Sequence, residues 1–224
     1  MTPYSFIINN LTKSTRTICT IRASKDYGNP KIENITYETG YNYILTDGKY
    51  YEESINLIKN NPEAISIIDA GRVSKEILSL CKYVNYIICS EDFANEVTNS
   101  TVGDNDNENK EIYKKLKSYF PNVLELVITI GKRGYICMKD NEVTIMPAYN
   151  SGHKAVDTTG AGDIFHGAFT HAIANGYTFH ESLEFANITA SLSTTKTGGR
   201  YSCPELQEVE SKLKTNIKKL VKNK

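Results

Sequence analysis

The residue types best placed for chemistry lie in a glycine-rich turn within Val156–Phe169, which reads VDTTGAGDIFHGAF. Gly160 and Gly162 remove side chains where a backbone must bend and come close to a ligand. The apolar, helix-like run that follows would point unpaired N–H groups at that ligand, which suits an anion. Asp163 adds a carboxylate, which repulsion disfavours beside an anion unless it accepts a proton from a hydroxyl that attacks a phosphate. The turn therefore predicts phosphoryl transfer to an alcohol, with Gly160, Ala161 and Gly162 as the anion hole and Asp163 as the base.

A purely structural interpretation of this turn also exists, because Gly-x-Gly-Asp turns cap ordinary helices and a first-turn aspartate stabilises the helix dipole. The whole string Asp157–Asp163, followed by Phe165 and Gly167, is more restrictive than Gly-Ala-Gly alone. It resembles the C-terminal signature of the ribokinase-like (PfkB-type) carbohydrate kinases. The resemblance implies transfer of the γ-phosphate of ATP to a hydroxymethyl group of a sugar, nucleoside or related small molecule, with Asp163 as the catalytic base.

The same resemblance implies nucleotide contacts on two further segments. Leu126–Gly134 is similar to the family's Val-Thr-Leu-Gly-x-x-Gly strand near the nucleotide phosphates and ribose. Phe185–Ser202 is similar to the helix and loop beside the adenine. The implied nucleotide-binding residues are Thr129, Gly131, Gly134, Asn187 and Gly198.

Two metal sites are candidates. Mg²⁺ takes oxygen ligands and usually keeps several waters, so a carboxylate such as Glu91 could hold it, directly or through water. Acidic residues that follow strands are also common as helix caps and first-turn residues. The resemblance implies a monovalent cation, such as K⁺, and Asp157 could instead cap nearby amides as a turn residue. The implied cation positions are Asp157 and Thr159 with backbone groups around Ser193, Lys196, Gly198 and Ser202.

Alternating strand and helix patterns must position these residues. Short connections favour parallel strands with crossover helices, and ligands bind such a sheet at the carboxyl ends of its strands. Asp69–Arg72, Ser90–Asp92 and Thr129–Gly134 follow predicted strands there. The predicted strands are Ser5–Ile8, Thr17–Ile21, Tyr43–Thr46, Ile65–Asp69, Tyr86–Cys89, a central Leu124–Ile130, Gly134–Met138 and Glu142–Met146. The predicted helices are Glu52–Lys59, Ser74–Cys81, Glu91–Thr98, Glu111–Tyr119, one from the glycine turn to Ala174, Phe179–Thr195 and Pro204–Val221, with a polar loop at Asp104–Asn109.

Composition excludes several other classes of protein. The 224 residues contain 26 basic and 26 acidic side chains, so no overall basic field favours nucleic acid. The five cysteines have no Cys-x-x-Cys spacing, and no apolar run is long enough for a membrane span. The sequence also lacks the P-loop, His-Glu-x-x-His and Gly-x-Ser-x-Gly motifs. We expect a cytoplasmic protein without membrane or nucleic-acid partners, and interpret His166 as a packed or partly exposed helix residue.

The resemblance implies a ribokinase-like three-layer α/β/α fold with a mainly parallel central sheet. We expect a single domain over 1–224, with strands from the lid or sheet-edge region in 1–22 and a nucleotide-binding core in 43–224. We expect the sequence to be N-terminally incomplete relative to the family, because it has no early Gly-Gly-x-x-x-Asn-x-Ala-like signature and Ser90–Phe93 stands in place of Asn-x-x-Glu. A shortened sheet would expose an edge that a second copy could cover as a homodimer.

Two hypotheses of function remain open. The first is an ATP- and Mg²⁺-dependent kinase of a small sugar or sugar-like substrate. Arg16–Ile18 and Asp47-Gly48 are nearest to ketohexokinase-like and ribokinase-like sugar kinases, which favours a ketose or pentose. The alternative is a nucleotide-binding remnant or regulatory protein without a complete acceptor site. A dinucleotide-binding oxidoreductase is excluded, since the glycine turn lacks the Gly-x-Gly-x-x-Gly strand-to-helix context.

Overall fold

The computed structural model describes residues 4–10, 12, 15–21 and 39–222 of the chain, which contain both β-strands and helices. The strands are β1 (Tyr4–Asn10), β2 (Thr15–Ile21), β3 (Tyr43–Thr46), β4 (Ile65–Ala70), β5 (Tyr86–Ser90), β6 (Glu125–Thr129), β7 (Tyr135–Lys139) and β8 (Glu142–Met146). The α-helices are α1 (Tyr51–Asn60), α2 (Lys75–Leu80), α3 (Glu91–Thr98), α4 (Asp106–Tyr119), α5 (Ala161–Ala174), α6 (Phe179–Ser193) and α7 (Leu206–Lys222). Short 3₁₀ turns lie at Gly131–Arg133 and Arg200–Ser202.

The central sheet has six strands in the order β3-β4-β5-β6-β7-β8. Strands β3 to β6 are parallel, and β7 and β8 extend the sheet antiparallel. The hairpin between β7 and β8 turns at Asp140 and Asn141, whose φ values of 50° and 65° fit a two-residue type I′ turn. The carboxyl ends of the four parallel strands therefore meet at one edge, where their following loops can form a site.

Helices cover both faces of this sheet. Adjacent residues of β4 point to opposite faces, and Ile67 and Ile68 are both fully buried. Ile68 packs in one core with α2, α3 and α4, whereas Ile67 packs in the other with residues of α5 and α6 such as Phe169 and Leu183. This double burial explains why β4, β5 and β6 are nearly continuous apolar runs. The expected three-layer α/β/α fold with a mainly parallel sheet is confirmed.

The predicted elements agree with the structure except in one segment. Residues 106–109 were expected in a polar loop, but α4 begins at Asp106. The reason is a local cap, because the Asn105 side chain accepts hydrogen bonds from the backbone N–H groups of Asn107 and Glu108. The division of the chain into a lid region and a nucleotide-binding core stays a prediction.

The β1–β2 hairpin forms a separate antiparallel sheet. Its apolar side chains are exposed, with Phe6 at 60% and Ile8 at 63% relative exposure. Within the described residues, the helices are all too short or too polar to cross a membrane.

Candidate active site

The glycine turn leads directly into α5. Gly160 caps the helix with a φ of 74°, a left-handed conformation that glycine adopts without steric cost. The first helical bond runs from the Ile164 N–H to the Gly160 carbonyl at 2.8 Å. In the described part of the chain, the N–H groups of Gly162 and Asp163 donate to no protein acceptor. Of the predicted anion hole, Gly162 thus presents a free N–H at a helix N-terminus, beside that of Asp163, whereas the Ala161 N–H donates to the Thr158 carbonyl at 3.3 Å.

A buried aspartate ties this turn to a distant loop. Asp157 is 5% exposed, and its two carboxylate oxygens accept hydrogen bonds from the N–H groups of Thr159 and Gly198, both at 2.9 Å. The loops pack closely, since a Cβ atom at Gly160 would lie 3.5 Å from the Gly199 Cα atom. Asp157 thus has the capping role that its sequence position allowed, and it brings Gly198 to the glycine turn.

Three carboxylates gather at the sheet edge beside the turn. Asp163 is exposed on the first turn of α5. Asp69 is the second-to-last residue of β4, and Asp47 directly follows β3. Burial raises the pKa of the Asp69 carboxyl above its ordinary value, His166 lowers it, and Asp163 and Asp47 raise it again. Sequence reasoning noted Asp69 at a strand end without assigning it a role, although the end of a parallel strand was the signal available.

His166 lies beneath these carboxylates. It is 5% exposed and belongs to the buried face of α5, as expected for a packed helix residue. Its Nδ1 atom lies 2.6 Å from the Gly162 carbonyl oxygen and 3.3 Å from an Asp69 carboxylate oxygen. Its Nε2 atom lies 3.2 Å from the Ile88 carbonyl oxygen of β5. The ring therefore links the anion-hole turn to two strands of the sheet.

Glu91, the magnesium candidate, has an arginine partner. It begins α3 directly after β5, and Ser90 caps this helix by accepting from the Phe93 N–H at 3.1 Å. The Arg133 guanidinium donates to the Glu91 carboxylate at 2.5 Å and also to the Gly103 carbonyl. The structure thus pairs the Glu91 carboxylate with Arg133, and its binding of magnesium stays a prediction.

The nucleotide candidates on β6 and its following turn lie at the same sheet edge. Thr129 pairs with Ser90 across β5 and β6, and its hydroxyl donates to the Cys89 carbonyl at 3.1 Å. Gly131 has a φ of 58° and open space around it. At position 134, packing requires a glycine, since a Cβ atom there would lie 1.9 Å from the Met146 carbonyl oxygen. These contacts position the turn but leave nucleotide binding as a prediction.

Asn187 is engaged elsewhere. Its side-chain carbonyl accepts from the Tyr149 N–H at 3.1 Å, and its NH₂ group donates to the Pro147 carbonyl at 3.0 Å. The residue is 6% exposed, so it anchors the segment after β8 onto α6. Its contact with a nucleotide stays a prediction.

Of the residues implied for a monovalent cation, Asp157 and Thr159 lie in the glycine turn. The others lie at the end of α6 or in the loop after it: Ser193, Lys196, Gly198 and Ser202. Among the residues that the structure describes, the buried Thr159 hydroxyl has no hydrogen-bond partner. Ser193 donates to the Ala190 carbonyl, and Ser202 donates to the Gly199 carbonyl, both at 2.8 Å. The Lys196 side chain is half exposed and points to Glu208, so only its backbone could contribute to a site.

This chain is similar to known proteins in sequence and in fold. The family model "pfkB family carbohydrate kinase" matches residues 26–206. A ribokinase of Schizosaccharomyces pombe is 30% identical over 170 residues, covering 75% of this chain and 49% of that protein, and a Lactococcus lactis ribokinase is 34% identical over 116 residues, covering 49% of this chain and 37% of that protein. The chain thus spans about half, or less, of the length of these curated relatives. The structure of Cryptococcus neoformans ribokinase in complex with ADP superposes with a TM-score of 0.75 at 19% identity, over 94% of this chain and 71% of that chain, which shows a shared fold.

Proposed function

This chain belongs to the pfkB family of carbohydrate kinases, and we propose on that premise that it transfers the γ-phosphate of ATP to a hydroxymethyl group of a sugar. A ketose or a pentose is the proposed acceptor. The similarity to ribokinases supports a sugar substrate, and the complex of one fold relative with ADP supports a nucleotide donor.

The observation that carries the proposal is the first turn of α5. The free N–H groups of Gly162 and Asp163 would receive the transferred phosphate, where the positive end of the helix dipole favours negative charge. The exposed Asp163 carboxylate would accept the proton of the acceptor hydroxyl as its oxygen attacks phosphorus. Gly160 keeps the space beside the Asp163 carboxylate free, because its missing Cβ atom would lie 3.8 Å from an Asp163 oxygen.

Magnesium and a monovalent cation are proposed companions of ATP. Within the described residues, no three His, Cys, Asp or Glu side chains cluster around a metal position, so Mg²⁺ would bind largely through water and phosphate oxygens. Glu91 would hold it, directly or through water, and the ion supplies charge that offsets the polyphosphate. The unpartnered Thr159 hydroxyl beside Asp157 fits an oxygen-liganded cation such as K⁺.

We also propose a cellular location and an oligomeric state for the protein. The five cysteines form no disulfide, which supports a reducing, cytoplasmic location. The exposed apolar side chains of the β1–β2 hairpin support a homodimer in which a second copy covers them.

The test is ATP turnover with Mg²⁺ and K⁺ against a panel of ketoses, pentoses and nucleosides, using the chain and its Asp163→Asn variant. We expect acceptor-dependent ADP release that falls by roughly 10²–10⁴-fold in Asp163→Asn, the usual contribution of a positioned base. Asp140→Asn makes the same chemical change in the exposed β7–β8 turn and should leave turnover intact. Equal turnover by Asp163→Asn and the wild-type chain would refute the assignment of the base.

A nucleotide-binding or regulatory protein without a complete acceptor site is the second candidate. The Glu91–Arg133 ion pair favours it, because it occupies the carboxylate expected to hold magnesium. Calorimetric binding of ATP without ADP release, for every acceptor in the panel, would favour this function over the kinase.

A further inference from the structure

The two nitrogen atoms of the His166 ring face three oxygen atoms, each of which can only accept a hydrogen bond. Nδ1 faces the Gly162 carbonyl and an Asp69 oxygen, and Nε2 faces the Ile88 carbonyl. A neutral imidazole has one N–H, so one of its nitrogens would turn a lone pair toward an oxygen at 3.2 Å or closer. Because His166 is only 5% exposed, little water reaches its ring to relieve that repulsion. A ring with protons on both nitrogens donates to the Gly162 and Ile88 carbonyls and places a positive charge 3.3 Å from the Asp69 carboxylate.

Asp69 is the natural counter-ion for such a ring. Asp69 and Ile88 are paired in register on β4 and β5, so one imidazolium can bond to both strands at once. Burial raises the pKa of the Asp69 carboxyl above its ordinary value, His166 lowers it, and the carboxylates of Asp163 and Asp47 raise it. On β5, burial raises the pKa of the Cys89 thiol well above its ordinary value, so this neighbour stays neutral.

We propose that a buried, doubly protonated His166 forms an ion pair with the partly exposed Asp69, and that this pair positions the first turn of α5, and with it Asp163, for proton transfer from the acceptor. The pair holds the Gly162 carbonyl on one side and the sheet on the other, so the anion-hole amides and the Asp163 backbone are fixed relative to β4 and β5. His166 also places a positive charge under a group of carboxylates that must receive an anionic phosphate. This positioning role rests on the proposed kinase function, whereas the ion pair itself does not.

The ion pair is tested by NMR of the chain with ¹⁵N-labelled histidine. The His166 signals are identified with His166→Gln, and the exposed His153 serves as the internal reference. We expect protons on both ring nitrogens of His166. In Asp69→Asn we expect His166 to carry one ring proton at the same pH, with Asp140→Asn unchanged. A neutral His166 in the wild-type chain, or an imidazolium that persists in Asp69→Asn, would overturn the pair.

The positioning role is tested by kinetics of the same Asp69→Asn chain. We expect kcat to fall on the order of 100-fold, the cost of a small misplacement of a reacting group, with the KM for ATP nearly unchanged. An unchanged kcat would overturn positioning. A wild-type chain that turns over no ATP would refute the kinase function while the NMR result still decides the ion pair.

Discussion

Gly160→Ala separates the two roles of the glycine turn, backbone geometry and access to the site. Gly160 has a φ of 74°, and a non-glycine residue in this left-handed region costs about 1–2 kcal/mol. Space alone adds little, because the new methyl group would meet its nearest neighbour, Gly199, at 3.5 Å, an ordinary van der Waals distance. We therefore expect the free energy of unfolding to fall by about 1–2 kcal/mol, or the Tm by about 2–8 °C for a chain of this size.

Turnover should fall much further than stability. The methyl group would lie 3.8 Å from an oxygen of Asp163, the carboxylate that the proposed function makes the base. We expect kcat/KM to fall on the order of 100-fold or more, since a misplacement of about 1 Å has that effect on a reacting group. Urea unfolding measures the first effect, and steady-state ADP release measures the second.

Gly176→Ala is the matched control. Gly176 follows the other end of α5 with a φ of 82°, and a Cβ atom there meets nothing within 4 Å. It should lose similar stability and keep wild-type turnover. If both variants lose turnover equally, the effect of Gly160→Ala comes from the fold and the reasoning about the anion hole is wrong.

Two further predictions concern stability. Gly134→Ala should destabilise the chain far more than Gly131→Ala, because the new Cβ atom would lie 1.9 Å from the Met146 carbonyl oxygen. Gly131 also has a positive φ, but a Cβ atom there would meet nothing within 4 Å. Equal urea midpoints of the two variants would contradict this reasoning. Burial raises the pKa of Glu125 above its ordinary value, against an opposing effect of Lys117, so ionisation of Glu125 costs stability that grows as pH rises from the ordinary glutamate pKa through the raised one. Glu125→Gln should therefore match the wild-type chain in acid and be more stable at neutral pH, and a variant that is less stable at neutral pH would refute the sign.

Local sequence was sufficient for most of the fold and for the turn that carries the proposed chemistry. The alternation of apolar runs with amphipathic segments predicted the strands and helices, because backbone conformation depends mainly on residues within a turn or two. Gly160 and Asp163 are only three residues apart, so their proximity at the start of α5 follows from helix geometry. The start of α4 was not predicted, because its first turn is polar enough to resemble a loop and is held helical by the Asn105 cap.

Tertiary structure alone decided the partners of the charged and polar side chains. His166 meets the Ile88 carbonyl across 78 positions, Arg133 meets Glu91 across 42, and Asp157 meets the Gly198 N–H across 41. No local pattern encodes such pairs, because they arise only when the sheet order and helix packing bring distant segments within hydrogen-bond range. Burial then decides the energy of each group, since removing water strengthens charge interactions and raises the cost of an unpaired group. The sequence thus determined which residues could perform chemistry, and the packed sheet determined which neighbours, charges and degree of exposure each of them has.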